Sequence, residues 1–246
     1  MSRYGKFARV YDGLMVDFDY ENWFKYIEDI FDKYDKQPNN VLEMACGTGN
    51  LSEYLAKARY DLTCFDISED MLSHAYEKLR RYKNVDIMRQ DMITFDINKS
   101  FDAVLSICDS INYIRSREDL EKTFQNAYDH LEDGGIFIFD INSYFKLKHV
   151  IGNNTFVEDS EEVFYVWENF YDDKEDICEF YLTFFFKKDQ GDYERFDEEH
   201  IEKAYKTFEI RQALNKAGFK DIDIYKGFTF EEVKEDTERI NFVAIK

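Results

Sequence analysis

The chain has 246 residues, 44% hydrophobic and 18% aromatic, and a formal net charge of −20. That is material for one α/β domain with an insertion, or for two small domains. The charge argues against broad contact with a phosphate backbone, which needs clustered Lys and Arg, and no apolar run approaches the roughly 20 residues that span a bilayer.

In chain order, Tyr4, Phe7, Tyr11, Leu14 and Met15 are spread through a polar N-terminal segment. No basic flank precedes an apolar stretch there, so no secretory signal is expected. Trp23, Ile27, Ile30 and Tyr34 mark one face of a helix that ends before Pro38, the only proline. Val41 and Leu42 open a strand that ends on Glu43 and turns through Gly47 and Gly49 into a helix carrying Leu51, Leu55 and Ala58. Leu62–Phe65 is a second strand. Ser68 is placed to cap a helix lined by Met71, Leu72, Ala75 and Leu79. Val85–Met88 and Phe101–Ile107 are further strands. Leu120, Phe124, Ala127 and Leu131 define a helix stopped by Asp133-Gly134-Gly135, and Ile136–Asp140 is a fifth strand. Strands alternating with helices mean parallel βαβ units.

The rhythm then changes. Val163–Tyr171 and Ile177–Lys188 are β-rich and joined by polar turns, as in an antiparallel meander. A helix over Thr207–Ala217, stopped by Gly218, and strands at Ile222–Tyr225 and Ile240–Ile245 complete the chain. Residues 154–200 hold sixteen acidic side chains against four basic ones. A solvated acidic surface accounts for this, with a cationic substrate or partner as the other reading. The four cysteines, Cys46, Cys64, Cys108 and Cys178, form no metal-like pair. A cytoplasmic protein without disulfides or a bound metal is expected.

The chemistry concentrates at Glu43-Met44-Ala45-Cys46-Gly47-Thr48-Gly49-Asn50. Glycines let a ligand approach the backbone closely, and a helix N-terminus points at the turn. Asp66 follows Gly49 by 17 residues, near the spacing at which an acidic residue reaches a ribose in a βαβ nucleotide site. The dinucleotide fingerprint wants Gly or Ala where this chain has Ser52. Glu43 beneath the ligand suits a cation better than a pyrophosphate.

Glu43-x-Ala45-x-Gly47-x-Gly49, followed by Asp66, resembles the first motifs of the S-adenosylmethionine-dependent methyltransferases with a Rossmann-like fold. The resemblance covers residues 37–142 well and 207–246 loosely. It implies a mixed seven-stranded sheet with helices on both faces and an antiparallel final strand. The inserted antiparallel β meander is not specified by it. The domain division expected is 1–143 with 201–246 for the cofactor-binding domain and its N-terminal helical lid, and 144–200 for the insertion.

Carried over, the resemblance implies that Glu43, Ala45, Cys46 and Gly47 hold the methionine part of S-adenosyl-L-methionine, with Gly49 also binding the cofactor. Asp66 would accept from both ribose hydroxyls and Ile67 would pack on the adenine, unless it is a plain core isoleucine. Asp91 and Met92 would contact the adenine edge. Ile107, Cys108 and Asp109 would lie beside the reactive methyl. Tyr4 or Tyr11 would close over the cofactor, or else both merely pack an amphipathic helix.

Asp109, Tyr11 and His200 are the candidates for a catalytic role. His200, in the acidic run Glu198-Glu199-His200, is placed between the insertion and the returning helix, and a solvent-facing histidine is its plainer reading. Trp167, Phe170, Tyr181 and Phe184 are candidates to line an acceptor pocket.

The function expected is methyl transfer to an O, N or C nucleophile of a small molecule, by a monomer or homodimer without nucleic acid or membrane. An NAD-dependent oxidoreductase and a noncatalytic cofactor-binding partner protein are the alternatives.

Overall fold

The computed structural model describes residues 18–160, 163–188 and 191–246. The expected lid residues Tyr4 and Tyr11 lie outside them. Helix α1 (Tyr20–Lys33) starts at Asp19, whose carboxylate accepts from the Asn22 N–H at 2.8 Å. It buries Trp23, Tyr26, Ile27, Ile30 and Phe31 on one face. Strand β1 (Asn40–Met44), helix α2 (Asn50–Lys57), strand β2 (Asp61–Asp66) and helix α3 (Glu69–Leu79) follow. Ser68 caps α3, as its position predicts. Strands β3 (Val85–Arg89) and β4 (Phe101–Ser106) lead through a 3-10 turn at Ser110–Tyr113 to helix α4 (Arg117–His130), capped by Ser116, and strand β5 (Leu131–Asn142). A short π-wound turn at Lys146–Ile151 precedes strands β6 (Thr155–Asp159), β7 (Val163–Asp172), β8 (Ile177–Lys187) and β9 (Tyr193–Lys203). Helix α5 (Thr207–Ala217) and strands β10 (Asp221–Lys226) and β11 (Arg239–Ile245) close the chain.

Seven strands form one sheet in the order β10-β11-β5-β4-β1-β2-β3. Strands β1 to β5 pair in parallel, and β11 runs antiparallel to both β5 and β10. Period-two alternation sends Leu42, Val104, Phe139 and Phe242 to one face, against α4 and α5. Val41, Cys64, Leu105 and Val243 go to the other, against α1, α2 and α3. Both faces are covered, so the strands read as continuous apolar runs rather than alternating ones. The mixed seven-stranded sheet with helices on both faces is as expected.

Strands β6 to β9 form a separate four-stranded antiparallel sheet, the expected meander. Its extent differs from the sequence reading at both ends. Strand β6 was not anticipated, because all five of its residues are exposed and carry no alternation. Strand β9 was not anticipated either. Its inward positions Phe196, Glu198, His200 and Glu202 are mostly titratable, so they send no hydrophobic signal. His200 is therefore a strand residue rather than part of a connector. Leu131 begins β5 instead of ending a helix, and residues 132–135 bulge between the pairs Phe101–Leu131 and Ala103–Ile136.

Candidate functional site

The carboxyl ends of β1 to β5 and the inner face of the second sheet border a cleft of about 1150 Å³. Ligands of open α/β sheets bind at this edge because every connecting loop there can present backbone donors and post-strand side chains.

Glu43 at the end of β1 is 2% exposed. The Ser52 hydroxyl donates to its Oε2 at 2.5 Å. Ser52 thus both breaks the dinucleotide fingerprint and fixes the acid. Burial pushes the Glu43 carboxyl up to about 8, with the Asp66 charge adding to this and Ser52 opposing it. A cation seated above Glu43 would restore its charge.

Ala45, where the resembled family often has glycine, has φ +54, the left-handed region that glycine adopts freely. Gly47 has φ +55 and donates its N–H to Asp66 Oδ2 at 2.9 Å. Ser68 N–H donates to Asp66 Oδ1 at 2.8 Å. Each Asp66 oxygen keeps lone-pair capacity for one more donor, which suits a pair of vicinal hydroxyls. A Cβ built on Gly47 meets no protein atom within 4 Å. Gly49 differs: it does not line the cleft, and a Cβ there would press on Leu79 Cδ1 at 3.1 Å and Ala75 Cβ at 3.2 Å. Gly49 serves the packing of α2 on α3.

Ala45, Cys46, Gly47, Asp66, Ile67, Asp91, Met92, Ile107, Cys108 and Asp109 all line the same cleft. Ile67 is 59% exposed, so its plain core reading fails. Asp91 Oδ1 accepts from the Ile93 N–H at 2.9 Å, which shapes the loop beneath it. Cys108 and Asp109 have φ +59 and +53, two successive non-glycine residues in the left-handed region. Such strain costs about 1–2 kcal/mol per residue and needs anchors. Arg239 supplies one: its Nη2 donates to Asp109 Oδ1 at 2.9 Å and its Nη1 donates to Asp140 Oδ2. Burial, then Asp140 and Asp109, pushes the Cys108 thiol well up, so it is no thiolate nucleophile.

The second sheet supplies the opposite wall. Tyr165, Trp167, Phe180 and Leu182 reach the cleft, together with His200 and Glu202. Of the four expected aromatics, Trp167 alone lines it. Phe170 and Tyr181 point to the outer face, 55% and 39% exposed, and pack on each other. Phe184 is buried against Phe196. Period two decides this: inward register pairs are Tyr165–Phe184 and Trp167–Leu182, so even-numbered β7 residues must face out. His200 is not solvent-facing. Burial pushes its imidazole below the ordinary value, and Nδ1 lies 3.4 Å from the Tyr113 hydroxyl.

Asn142, Lys146, Glu202 and Arg239 also line the cleft and were missed in the sequence. Asn142 is the last residue of β5 as Asp66 is of β2, so the same strand-end rule would have found it. Arg239 opens the antiparallel β11, which puts its start at the carboxyl edge of the parallel strands. Glu202 sits in a charge-rich strand that gave no usable signal.

Asn112 holds the two sheets together. It is fully buried, donates to the carbonyls of Asn142 at 3.1 Å and Lys203 at 2.9 Å, and accepts from the Asn142 N–H at 2.9 Å. Among the described residues no cluster of His, Cys, Asp and Glu could hold a metal ion, and no helix is long and apolar enough to cross a membrane.

The strand order, the antiparallel last strand and the carboxylate-flanked glycine turn define a Rossmann-like methyltransferase. Comparison with known proteins agrees. Residues 41–135 match the family described as "Methyltransferase domain". A Geobacillus sp. (strain WCH70) protein, named "Putative methyltransferase", is 34% identical over 99% of both chains. The crystal structure of an S-adenosylmethionine-dependent methyltransferase from Clostridium acetobutylicum ATCC 824 is 39% identical over 99% of both chains, with a TM-score of 0.89. A dTDP-3-amino-3,4,6-trideoxy-alpha-D-glucopyranose N,N-dimethyltransferase from Streptomyces venezuelae is 31% identical over 46% of this chain and 47% of its own. The chain belongs to the S-adenosylmethionine-dependent methyltransferases, and its cofactor is S-adenosyl-L-methionine. That decides against the dinucleotide oxidoreductase and noncatalytic readings.

Proposed function

We propose that the cleft binds S-adenosyl-L-methionine over the glycine turn and a small-molecule acceptor against the second sheet, within the cytoplasm. The observation that carries this is a single half-open cleft with two chemically different halves. The carboxylates Glu43, Asp66 and Asp91 lie at strand ends on one side, and an aromatic wall lies on the other. The donor set fits the cofactor: a buried carboxyl suits a cationic methionine part, and Asp66 suits the ribose diol. The four unpaired cysteines support a reducing compartment. The amino-sugar acceptor in the Streptomyces enzyme's name supports a small molecule over a polymer.

When bound, the sulfonium supplies an already activated methyl group. Asp66, Ile67, Asp91 and Met92 would orient the nucleoside part. Glu43 and the backbone from Ala45 to Gly47 would hold the methionine part. The Cys108–Asp109 turn, anchored by Arg239, would shape the floor where acceptor and methyl meet. Alignment of two reactants and exclusion of water by the second sheet would do most of the work.

Calorimetry with S-adenosylhomocysteine and with NAD tests this. Micromolar binding of the first, weakened about tenfold or more by Asp66→Asn, is expected. NAD binding tighter than S-adenosylhomocysteine would refute it.

A further inference from the structure

We propose that the acceptor is an amine, and that Glu202 holds its ammonium group and takes its proton before methyl transfer. This rests on the cleft reading above and goes beyond it by naming the acceptor's chemical class.

The argument starts from β9. Its register sets Glu202 opposite Cys178 and His200 opposite Phe180, facing inward. The Lys203 carbonyl, next in the chain, is fixed by Asn112 Nδ2 at 2.9 Å, so Glu202 cannot drift. Glu202 is 3% exposed and lines the cleft. Its Oε2 accepts from Asn142 Nδ2 at 3.0 Å, while its Oε1 accepts from no donor among the described residues. Glu202 lines the cleft, so that oxygen is open to accept from a donor bound there.

The neighbours narrow what that donor is. Facing Glu202 from other elements are Asp109 after β4, Lys146 after β5, Arg239 on β11 and Cys178 on β8, with His200 on its own strand. Arg239 is already engaged by Asp140 and Asp109. Lys146 Nζ donates to Asn142 Oδ1 at 2.9 Å, so the Asn142 amide stands between Lys146 and Glu202. Burial, then Arg239, holds the Lys146 ammonium below its ordinary value against the charges of Asp109, Glu202 and Glu238, and burial holds the His200 imidazole below its own. The thiol of Cys178 is pushed up to about 12 and stays neutral.

The aromatic rings of Tyr165, Trp167 and Phe180 line the same cleft. A cation placed over the face of such a ring is attracted, and an anion there is not. The chain's charge of −20 also favours the approach of cations to the protein over that of anions.

An ammonium nitrogen has no lone pair and cannot attack. The N–H bond breaks, its proton passes to a Glu202 oxygen, and the electron pair stays on nitrogen. The neutral amine then forms a C–N bond to the methyl carbon. The C–S bond breaks with its electron pair moving to sulfur, leaving a neutral thioether and a methylated ammonium. A base for this step works best when its own proton affinity is near that of the working pH. Burial, then Asp109, raises the Glu202 carboxyl well above the usual carboxylate range. Asn142, Lys146 and Arg239 oppose that rise, and an arriving ammonium would draw the carboxyl further toward its charged form, with release of a proton.

Calorimetry on the full chain saturated with S-adenosylhomocysteine tests this, with 2-phenylethylamine, 2-phenylethanol and 3-phenylpropanoate as probes. At pH 7, in two buffers of different ionisation enthalpy, the amine is expected to bind about tenfold or more tightly than either analogue, releasing up to about one proton. Glu202→Gln should abolish both the preference and the release, and Glu202→Asp should keep part of each. Retained S-adenosylhomocysteine binding shows that the variants are folded. Equal or tighter binding of the alcohol or the propanoate, or an amine preference untouched in Glu202→Gln, overturns the proposal. Failure of the wild type to bind S-adenosylhomocysteine would instead overturn the cofactor assignment.

Discussion

The two glycines of the turn after β1 do different jobs, and alanine substitution separates them. At Gly47 an alanine must hold φ +55, a left-handed conformation that costs an L-residue about 1–2 kcal/mol. Loss of unfolded-chain entropy returns about 0.4–1 kcal/mol. No atom lies within 4 Å of the new Cβ, so no packing cost is added. The net is about 1 kcal/mol, or a Tm drop of about 2–4 °C for a chain of this length. The methyl instead occupies cleft space over the turn, and S-adenosylhomocysteine affinity should fall by about tenfold or more.

Gly49→Ala bears the same backbone cost at φ +79 and also presses a methyl against Leu79 and Ala75, which are 1% and 0% exposed and packed in the core. Overpacking adds about 1–3 kcal/mol, for a net near 2–4 kcal/mol and a Tm drop of roughly 4–16 °C. Its folded fraction should bind with an affinity within about threefold of wild type. Thermal unfolding and calorimetry on both variants give the assay. Affinity unchanged in Gly47→Ala, or a smaller Tm loss in Gly49→Ala than in Gly47→Ala, refutes the division of labour.

Glu43 makes the ligand-free protein sensitive to pH. Its folded carboxyl binds a proton more tightly than the ordinary value of 4.5, up to about 8. Its contribution is therefore full below about 4.5 and is lost as pH rises toward about 8, by an amount on the order of a few kcal/mol. Glu43→Gln should melt above wild type at pH 8 and converge with it near pH 4.5; melting curves that stay parallel across that range would contradict the burial argument. Asn112→Leu removes three hydrogen bonds and strands the Asn142 N–H, a loss of about 2–4 kcal/mol. Amide exchange in β9 should accelerate more than in β1, and equal acceleration of the two strands would mean that Asn112 does not hold the second sheet.

The cofactor half of the cleft was legible because each of its elements is local. A strand end, a glycine turn and the next strand's terminal carboxylate lie within 24 residues, Glu43 to Asp66. Their geometry follows from βαβ connectivity alone. The separate roles of Gly47 and Gly49 were not legible, because they depend on where α3 lies. The acceptor half was harder still. Strand β9 carries Glu198, His200 and Glu202 inward, so its burial pattern is the reverse of what hydrophobic alternation reports. Parity in β7 and β8 could not be set without knowing which face meets the first sheet, and that put Phe170 and Tyr181 on the wrong side. Arg239 reaches the Cys108–Asp109 turn across 130 residues, a pairing that no spacing rule anticipates.

The most direct test of the account is a crystal structure with S-adenosylhomocysteine. The account predicts the ribose hydroxyls on Asp66, the adenine against Ile67 and Met92, the amino acid part over Ala45–Gly47, and the sulfur directed toward the chamber bounded by Trp167 and Glu202. A ligand bound outside this cleft, or one whose sulfur faces away from that chamber, would contradict it.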